Sequence, residues 1–460
     1  MPSRSRPLLA LLVVAALALW ARTTQADEPP AGSRWGDPAS QAPAVPPDVI
    51  IPSPLSLDEA LRILDARGLD LLIADAAVRT AQSNAQTAAA VPNPQVTVSD
   101  GPVLNYLASG AGCSGCSQAN LSWGVGDNGA IFAEMAGKRG LRIDVARNAI
   151  AAAKLSRADA QRNLVFLVKQ AYAQVVLQAE TLDLDREILK SLETTLALSR
   201  AQYPRVIDEG GLARVEVQKL EGDQAVASDV QTLRQAKVAL AFLLGARRLA
   251  PDFEVDRDAL HFRVPAALAT ATPAALLRRA LALRPDVAAL GYQRLRADAG
   301  IRLAERQQLP DILLTLNYNN IGTGPGAASP MYFAPQIQAN PPIFYQQQGE
   351  IRRARADLAT QSLQHAKALA KVSADVENAF AAFRANRELV ERMEDRLLGR
   401  ARTAKEIVEK QFRGGNLKLT DFLDSLRTYI ATREEHLNDL AAYWTAVFQL
   451  EQAVNAELRR

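Results

Sequence analysis

Asp421 and Asp424 stand three residues apart, a spacing that puts both carboxylates on one face of a helix. Acids near a helix start interact favourably with its dipole and its free amides, which accounts for one of the two. Cys113 and Cys116 are the only cysteines and are separated by Ser-Gly. Two thiolates can hold a metal, but a closed site takes four ligands, and an oxidising compartment favours a small disulfide in an exposed loop. Gly124-x-Gly126-x-x-Gly129 has the spelling of a dinucleotide fingerprint. That motif must open a helix within a βαβ unit, whereas here it ends an alternating strand. His261, His365 and His436 are far apart, without metal-ligand spacing or a nucleophile beside them, and read as three unrelated histidines. Nothing here is catalytic, and no cofactor or resident metal is expected.

The elements that must carry these residues begin after a secretory signal. Arg4 and Arg6 precede an apolar run from Leu8 to Trp20, and Thr24-Gln25-Ala26 offers a small-residue cleavage site. The run is only about 13 residues, short of the roughly 20 needed to span a bilayer. Cleavage after residue 26 removes three arginines and no acids, so the formal net charge of +3 falls to about zero. A nucleic-acid partner is therefore not expected. Aromatics make up only 5% of the chain, and alanine, leucine, arginine and glutamine are abundant, as in long helices with narrow seams. No other stretch is long enough for a transmembrane helix, so membrane residence requires a β-barrel.

Residues 27–56 form a proline-rich leader, read as extended and mobile. A helix follows from Leu57 to about Ala90, with Ser56 as N-cap and Glu59 three residues on. Two alternating strands are expected at about 95–104 and 118–128. Gly137 to Tyr203 lacks proline and reads as one helix of about 65 residues. Tyr203-Pro204 and Gly210-Gly211 mark a turn before a helix from Leu212 to about Leu244. Residues 246–273 are a proline-containing segment with short β-prone pieces.

The pattern then restarts. Ala274 to Leu309 reads as a helix, and strands follow at about 311–321 and 332–343. A long helix runs from Gly349 to Phe412, roughly 95 Å at about 1.5 Å per residue. Its apolar residues recur every seventh position (Leu369, Val376, Phe383, Val390, Leu397, Ala404), with Val372, Ala379, Met393 and Ile407 three residues behind. Gly414-Gly415 separates it from a return helix carrying Asp421 and Asp424. Helix, two strands, long helix, turn and helix thus occur twice, offset by roughly 205–218 residues. The first repeat spans 57–245, the segment 246–273 connects, and the second spans 274–460. Gly210-Gly211 reads as the counterpart of Gly414-Gly415. In each strand pair one face is apolar and the other is Gln, Asn, Ser and Thr, the pattern of lipid outside and water inside. One chain offers too few strands to close a barrel, since outer-membrane barrels start at about eight.

In this layout the chain resembles the TolC-like outer-membrane efflux family over nearly its whole mature length. Local matches are Leu57-Asp58-Glu59-Ala60-Leu61, Pro92-Asn93-Pro94 and Pro342-Ile343-Phe344, and Glu134-Met135-Ala136-Gly137-Lys138-Arg139 resembles a segment of the CzcC-like, heavy-metal branch. The resemblance implies a mainly helical fold with membrane β: a coiled-coil helical barrel and four strands per chain in a shared trimeric, 12-stranded outer-membrane barrel. It implies a homotrimer, a periplasmic adaptor, an inner-membrane RND-type pump and outer-membrane lipid as partners. Residues 246–273 would form an equatorial patch. Phe412-x-x-Gly415 followed by Asp421-x-x-Asp424 matches the tip of the second repeat, where two aspartates narrow the periplasmic mouth. Three copies bring roughly six carboxylates to the axis. The tips implied for adaptor contact carry Arg205, Gly210 and Gly211 in the first repeat and Arg413, Gly414 and Gly415 in the second.

The expected function is a passive exit duct for efflux, with heavy-metal cations as cargo. A multidrug or type I secretion duct of the same fold is the alternative. A structural coiled-coil envelope protein is the non-transport alternative, and it has no use for four segments with apolar–polar alternation.

Overall fold

Ser56 starts the first helix, α1 (Leu57–Arg67), its hydroxyl accepting from the Glu59 amide at 3.2 Å. Gly68 takes ψ 117°, outside helical geometry, so α2 (Leu69–Ala89) is a separate helix where one was expected. A computed structural model describes residues 47–102, 117–205, 207–248, 252–258, 261–323 and 332–459. The signal segment 1–26 and the pair Cys113 and Cys116 lie outside the described residues.

After α2 come β1 (Gln95–Pro102), β2 (Ser117–Gly126) and the short α3 (Ala130–Met135). The proline-free stretch forms α4 (Lys138–Gln202), 65 residues long, which returns through α5 (Glu209–Leu243). Among the described residues of the connecting segment lies the short α6 (Ala266–Ala269). Two helices then occupy the stretch expected as one, α7 (Pro273–Leu283) and α8 (Pro285–Arg306). Pro285 forces Arg284 into extended backbone, ψ 119°, and so restarts the helix with itself in the first turn. β3 (Ile312–Thr323), β4 (Tyr332–Ala339) and α9 (Gln348–Arg392) follow. The long helix then passes through one π-helical turn, Met393–Leu397, into α10 (Leu398–Arg413), and α11 (Leu419–Val454) returns.

All four strands join one antiparallel sheet in the order β1-β2-β3-β4. Its register aligns Val98, Trp123, Tyr318 and Phe333 in one row, and Val96, Val125, Leu316 and Pro335 in the next alternate row. Side chains alternate across a sheet, so these rows share a face. Val96, Val98, Leu316, Phe333 and Ile337 on it are exposed. Trp123 stacks on Tyr318 at 5.5 Å between centroids, and Tyr318 meets Phe333 at 5.3 Å. The opposite face carries Thr97, Ser99, Ser122, Asn317, Asn319 and Gln336. There Ser99 and Ser122 share a hydrogen bond of 2.6 Å, and Asn317 donates to Gln336 at 3.0 Å. A Cβ at Gly124 would stand 2.2 Å from the Asn317 side-chain oxygen, so only glycine lets that amide lie across the polar face.

The heptad seam of the long helix is buried from Val372 down to the π-turn, whereas Leu369 at its head is 37% exposed. Val372, Val376, Ala379, Phe383, Val390 and Met393 are buried, whereas Leu397 and Ile407 are 45% and 52% exposed. A π-turn accommodates an extra residue and rotates everything after it, so the seven-residue rule carries Leu397, Ala404 and Ile407 off the seam. The buried role passes to Phe412, with Val408 packed beside that cluster.

A large core sits at the connecting segment. Trp444, Tyr172, Tyr443, Phe253 and Phe383 are among its fully buried side chains, each worth about 1.5–3 kcal/mol on burial. The leader's last residues belong to it. Leu55 is fully buried and bridges Val255 in parallel, its amide donating to the Glu254 carbonyl at 2.7 Å. The Tyr172 hydroxyl is shared between the Leu55 and Asp256 carbonyls at 2.9 and 2.7 Å. Residues 51–55 are thereby pinned, where the proline content suggested mobility.

Candidate mouth and strand–helix junction

At the far end of the long helices, Phe412 stacks on Phe422 at 5.0 Å and 11°. The pair packs with Ile207, Leu423 and Leu426 into a second core that ties the two hairpin tips together. The two Gly-Gly pairs are not equivalent in place. Gly414 and Gly415 end α10, with Gly415 at φ +74°, the left-handed cap where glycine avoids the cost a Cβ would add. Gly210 and Gly211 instead lie inside the first turn of α5, where the N-cap Asp208 accepts from the Gly211 amide at 2.8 Å. Asp208 was the sequence signal for that earlier start, as an acid immediately before a helix.

Gly210, Gly211 and Gly415 line one cleft of about 670 Å³ together with Arg214, Lys418 and Thr420. The structure thus brings the two turns together. Arg205, Arg413 and Gly414 are exposed at the same tips but do not line that cleft, and Arg413 pairs with Glu409.

Asp421 and Asp424 are both exposed. Lys418 holds the N-cap position of α11 without a side-chain cap bond. Among the described hydrogen bonds Asp421 accepts only a long one, 3.4 Å, from the Thr420 hydroxyl. Neither carboxylate is spent on a free amide. Asp424 lines a groove between α5 and α11 with Arg214, Glu221 and Arg427, and Asp421 does not.

Further up the helices, Asp185 of α4 meets Asp229 of α5 and Glu434 of α11. Burial and then the Asp229 carboxyl push Asp185 up to about 6, and burial and then Asp229 also raise Glu434. Among the described residues no group of three or more His, Cys, Asp or Glu is placed to hold a metal ion.

The segment Glu134–Arg139 sits where strands give way to helices. Lys138 donates to the Leu309 carbonyl at 2.8 Å and to Asp311 at 2.7 Å. Arg139 donates to the Ala89 carbonyl and to Glu134, each at 2.6 Å. Its charged groups fasten the start of α4 to the ends of α2 and α8.

Long antiparallel helical hairpins duplicated around one sheet, with an apolar and a polar sheet face, make up a TolC-like fold. Residues 276–456 match the Outer membrane efflux protein family. The chain is similar to the pyoverdine export outer membrane protein OpmQ of Pseudomonas putida, 26% identical over 433 residues, covering 88% of this chain and 87% of that protein. Its fold is similar to that of CusC, with a TM-score of 0.70, 19% identity and coverage of 87% of this chain and 92% of CusC. VceC of Vibrio cholerae matches at a TM-score of 0.69 and 17% identity, over 87% of this chain and 96% of that one. The family match thus lies within the second repeat, and the likeness of fold to CusC and VceC extends over most of the chain.

Proposed function

We infer that the chain is the exit duct of a tripartite efflux system, working as a homotrimer with a periplasmic adaptor and an inner-membrane RND-type pump. The sheet carries this reading. It has one apolar and one polar face, and its outer strands β1 and β4 each keep one unpaired edge. Open backbone edges are not tolerated in lipid, so other copies must complete the ring. Three copies give about 12 strands, within the range of such barrels. The apolar face then meets lipid and the Ser, Thr, Asn and Gln face lines water.

The division of the chain into a first repeat (57–245), an equatorial segment (246–273) and a second repeat (274–460) serves this assembly. Adaptor hairpins dock at the tips around Arg205, Gly210, Gly211, Arg413, Gly414 and Gly415. Asp421 and Asp424 form the acidic gate, a role supported by their exposure and by their lack of capping bonds. Crowded like charges at such a ring favour cations over anions.

Heavy-metal cations are the cargo supported by the resemblance of Glu134–Arg139 to the heavy-metal branch and by the acidic mouth. The charged groups of that segment are structural, so selectivity rests with the mouth and the pump. Deleting the gene is expected to sensitise the host to zinc, cobalt, cadmium or copper, read as minimal inhibitory concentrations. Sensitisation to hydrophobic drugs alone would select the multidrug reading. The relative named for pyoverdine export supports a second cargo, a siderophore. Lost siderophore release with unchanged metal tolerance would select that one, and no change in any export phenotype would contradict the duct.

A further inference from the structure

The π-turn Met393–Leu397 interrupts the longest element of the second repeat, and it is not an isolated irregularity. His436 of α11 packs against it, only 8% exposed, with Nε2 at 3.9 Å from the Glu394 carboxylate. That separation is longer than a hydrogen bond. Its Nδ1 is buried without a hydrogen-bond partner, as is Nε of Arg433, three residues earlier on the same helix. His261, on the connecting segment, is near enough for its charge to act on Glu394 from another side. His436 thus faces a carboxylate of the irregular turn, while His261 is paired with Asp258 and acts on Glu394 only through its charge.

The charged groups facing His436 are accountable. Arg433 lies on its own helix, and Glu394 and Asp395 lie in the π-turn. Next to it, Leu437 packs with Leu184 and Ile188 of α4. On that stretch of α4, Asp183 is taken by Arg257 and Asp185 faces Asp229 and Glu434. On α9, Glu391 is held by Arg387 at 2.7 Å. Asp258, on the connecting segment, is taken by His261 at 3.1 Å. Among the described residues, the carboxylate set against the His436 imidazole is therefore Glu394, which stands just out of reach.

We propose that His436, Glu394 and the π-turn Met393–Leu397 form a proton-operated hinge: protonation of His436 destabilises this π-turn and lets α10 turn relative to α9. A π-turn is a costly local winding that persists only where its surroundings hold it. Moving or regularising it by one residue rotates α10 by about 100° and redirects the tip below it.

The sign follows from the environment. Burial and then Arg433 hold the His436 imidazole below its ordinary value, so the described arrangement favours the neutral ring. Its contribution to that arrangement is complete above a pH of about 6.5 and is lost as pH falls through the lowered folded value. Glu394 is pushed upward by burial and then by Asp395, with His261 opposing, so it too resists full charge until His436 is charged beside it. Acid thus selects a different arrangement of the turn, one in which the ring reaches water or Glu394. The consequence at the mouth rests on the duct reading; the hinge itself does not.

Hydrogen exchange of the full protein in detergent tests the hinge directly. After correction for intrinsic rates, peptides covering residues 388–400 should lose protection between pH 7.5 and 5.5. One proton bound only by the open arrangement gives at most about tenfold per pH unit. His436→Gln should abolish this acid response while retaining protection at pH 7.5. An acid response that survives in His436→Gln, or its absence from the wild type, would overturn the hinge. Should that variant fail to fold, the wild type still decides. Histidine ring carbon-13 signals, assigned by elimination with His261→Gln and His365→Gln, should show His436 titrating below about 6.5. Titration at or above that value refutes the proposal.

Discussion

Replacing Lys169 by methionine is expected to cost about 3–5 kcal/mol. Lys169 and Glu451 are both buried, 5% exposed each, and meet at 2.6 Å. The second Glu451 oxygen accepts the amides of Leu458 at 2.6 Å and Arg459 at 2.9 Å, which folds the end of the chain back onto α4. Lys169 also lies 5.6 Å from the Phe448 ring centroid. Methionine keeps the length and apolar stem of lysine but leaves a buried carboxylate without its cation. Thermal unfolding followed by circular dichroism should show a midpoint lowered by roughly 5 °C or more. The companion change Glu451→Gln keeps an acceptor for the two amides and removes the charge. The double variant should therefore recover much of the loss, since a neutral pair avoids the buried unpaired charge. A midpoint for Lys169→Met that matches wild type would show that the pair does not hold the C-terminal fold-back.

The second large effect concerns the mouth. Converting both Asp421 and Asp424 to Asn is expected to raise single-channel conductance in planar bilayers and to weaken block by multivalent cations. Two unit charges about 4 Å apart interact by about 1 kcal/mol in water, so removing several from one ring should weaken block by about tenfold. Stability should stay within about 0.5 kcal/mol, because both side chains are exposed and neither caps α11. Had the pair served as caps, Asn would have replaced Asp with little change in either property. A double Asn variant that conducts and is blocked like wild type would remove the gate from these residues.

Much of the architecture was legible because it rests on simple periodicities. Val96, Val98, Trp123, Leu316 and Phe333 declared their face by alternation, and the structure aligns them in register across four strands. The proline-free run placed α4 to within a residue or so at each end. What was hidden depends on long-range packing. The π-turn has no composition of its own, and its trace in sequence is only that Leu397, Ala404 and Ile407 continue a heptad which the folded chain abandons. Gly210-Gly211 read as a turn because glycine usually is one, while the Asp208 cap moved the helix start ahead of it. His261 and His436 could not be related from spacing, since the connecting segment and α11 meet only in three dimensions. Glu134–Arg139 carried a resemblance at the level of letters, and its geometry turned out to be that of a fastener between strands and helices. For the mouth, the sequence placed Asp421 and Asp424 near a helix start, and only the structure shows their amide-capping role to be unfilled.

The shared barrel is the centre of the account, and the mass of the purified protein tests it most directly. Light scattering in mild detergent, corrected for bound detergent, should return three chain masses, because one chain supplies a sheet of four strands with both edges open. Circular dichroism on the same sample fixes its β-content. A stable single-chain particle with that β-content intact would contradict the shared barrel and the duct built on it.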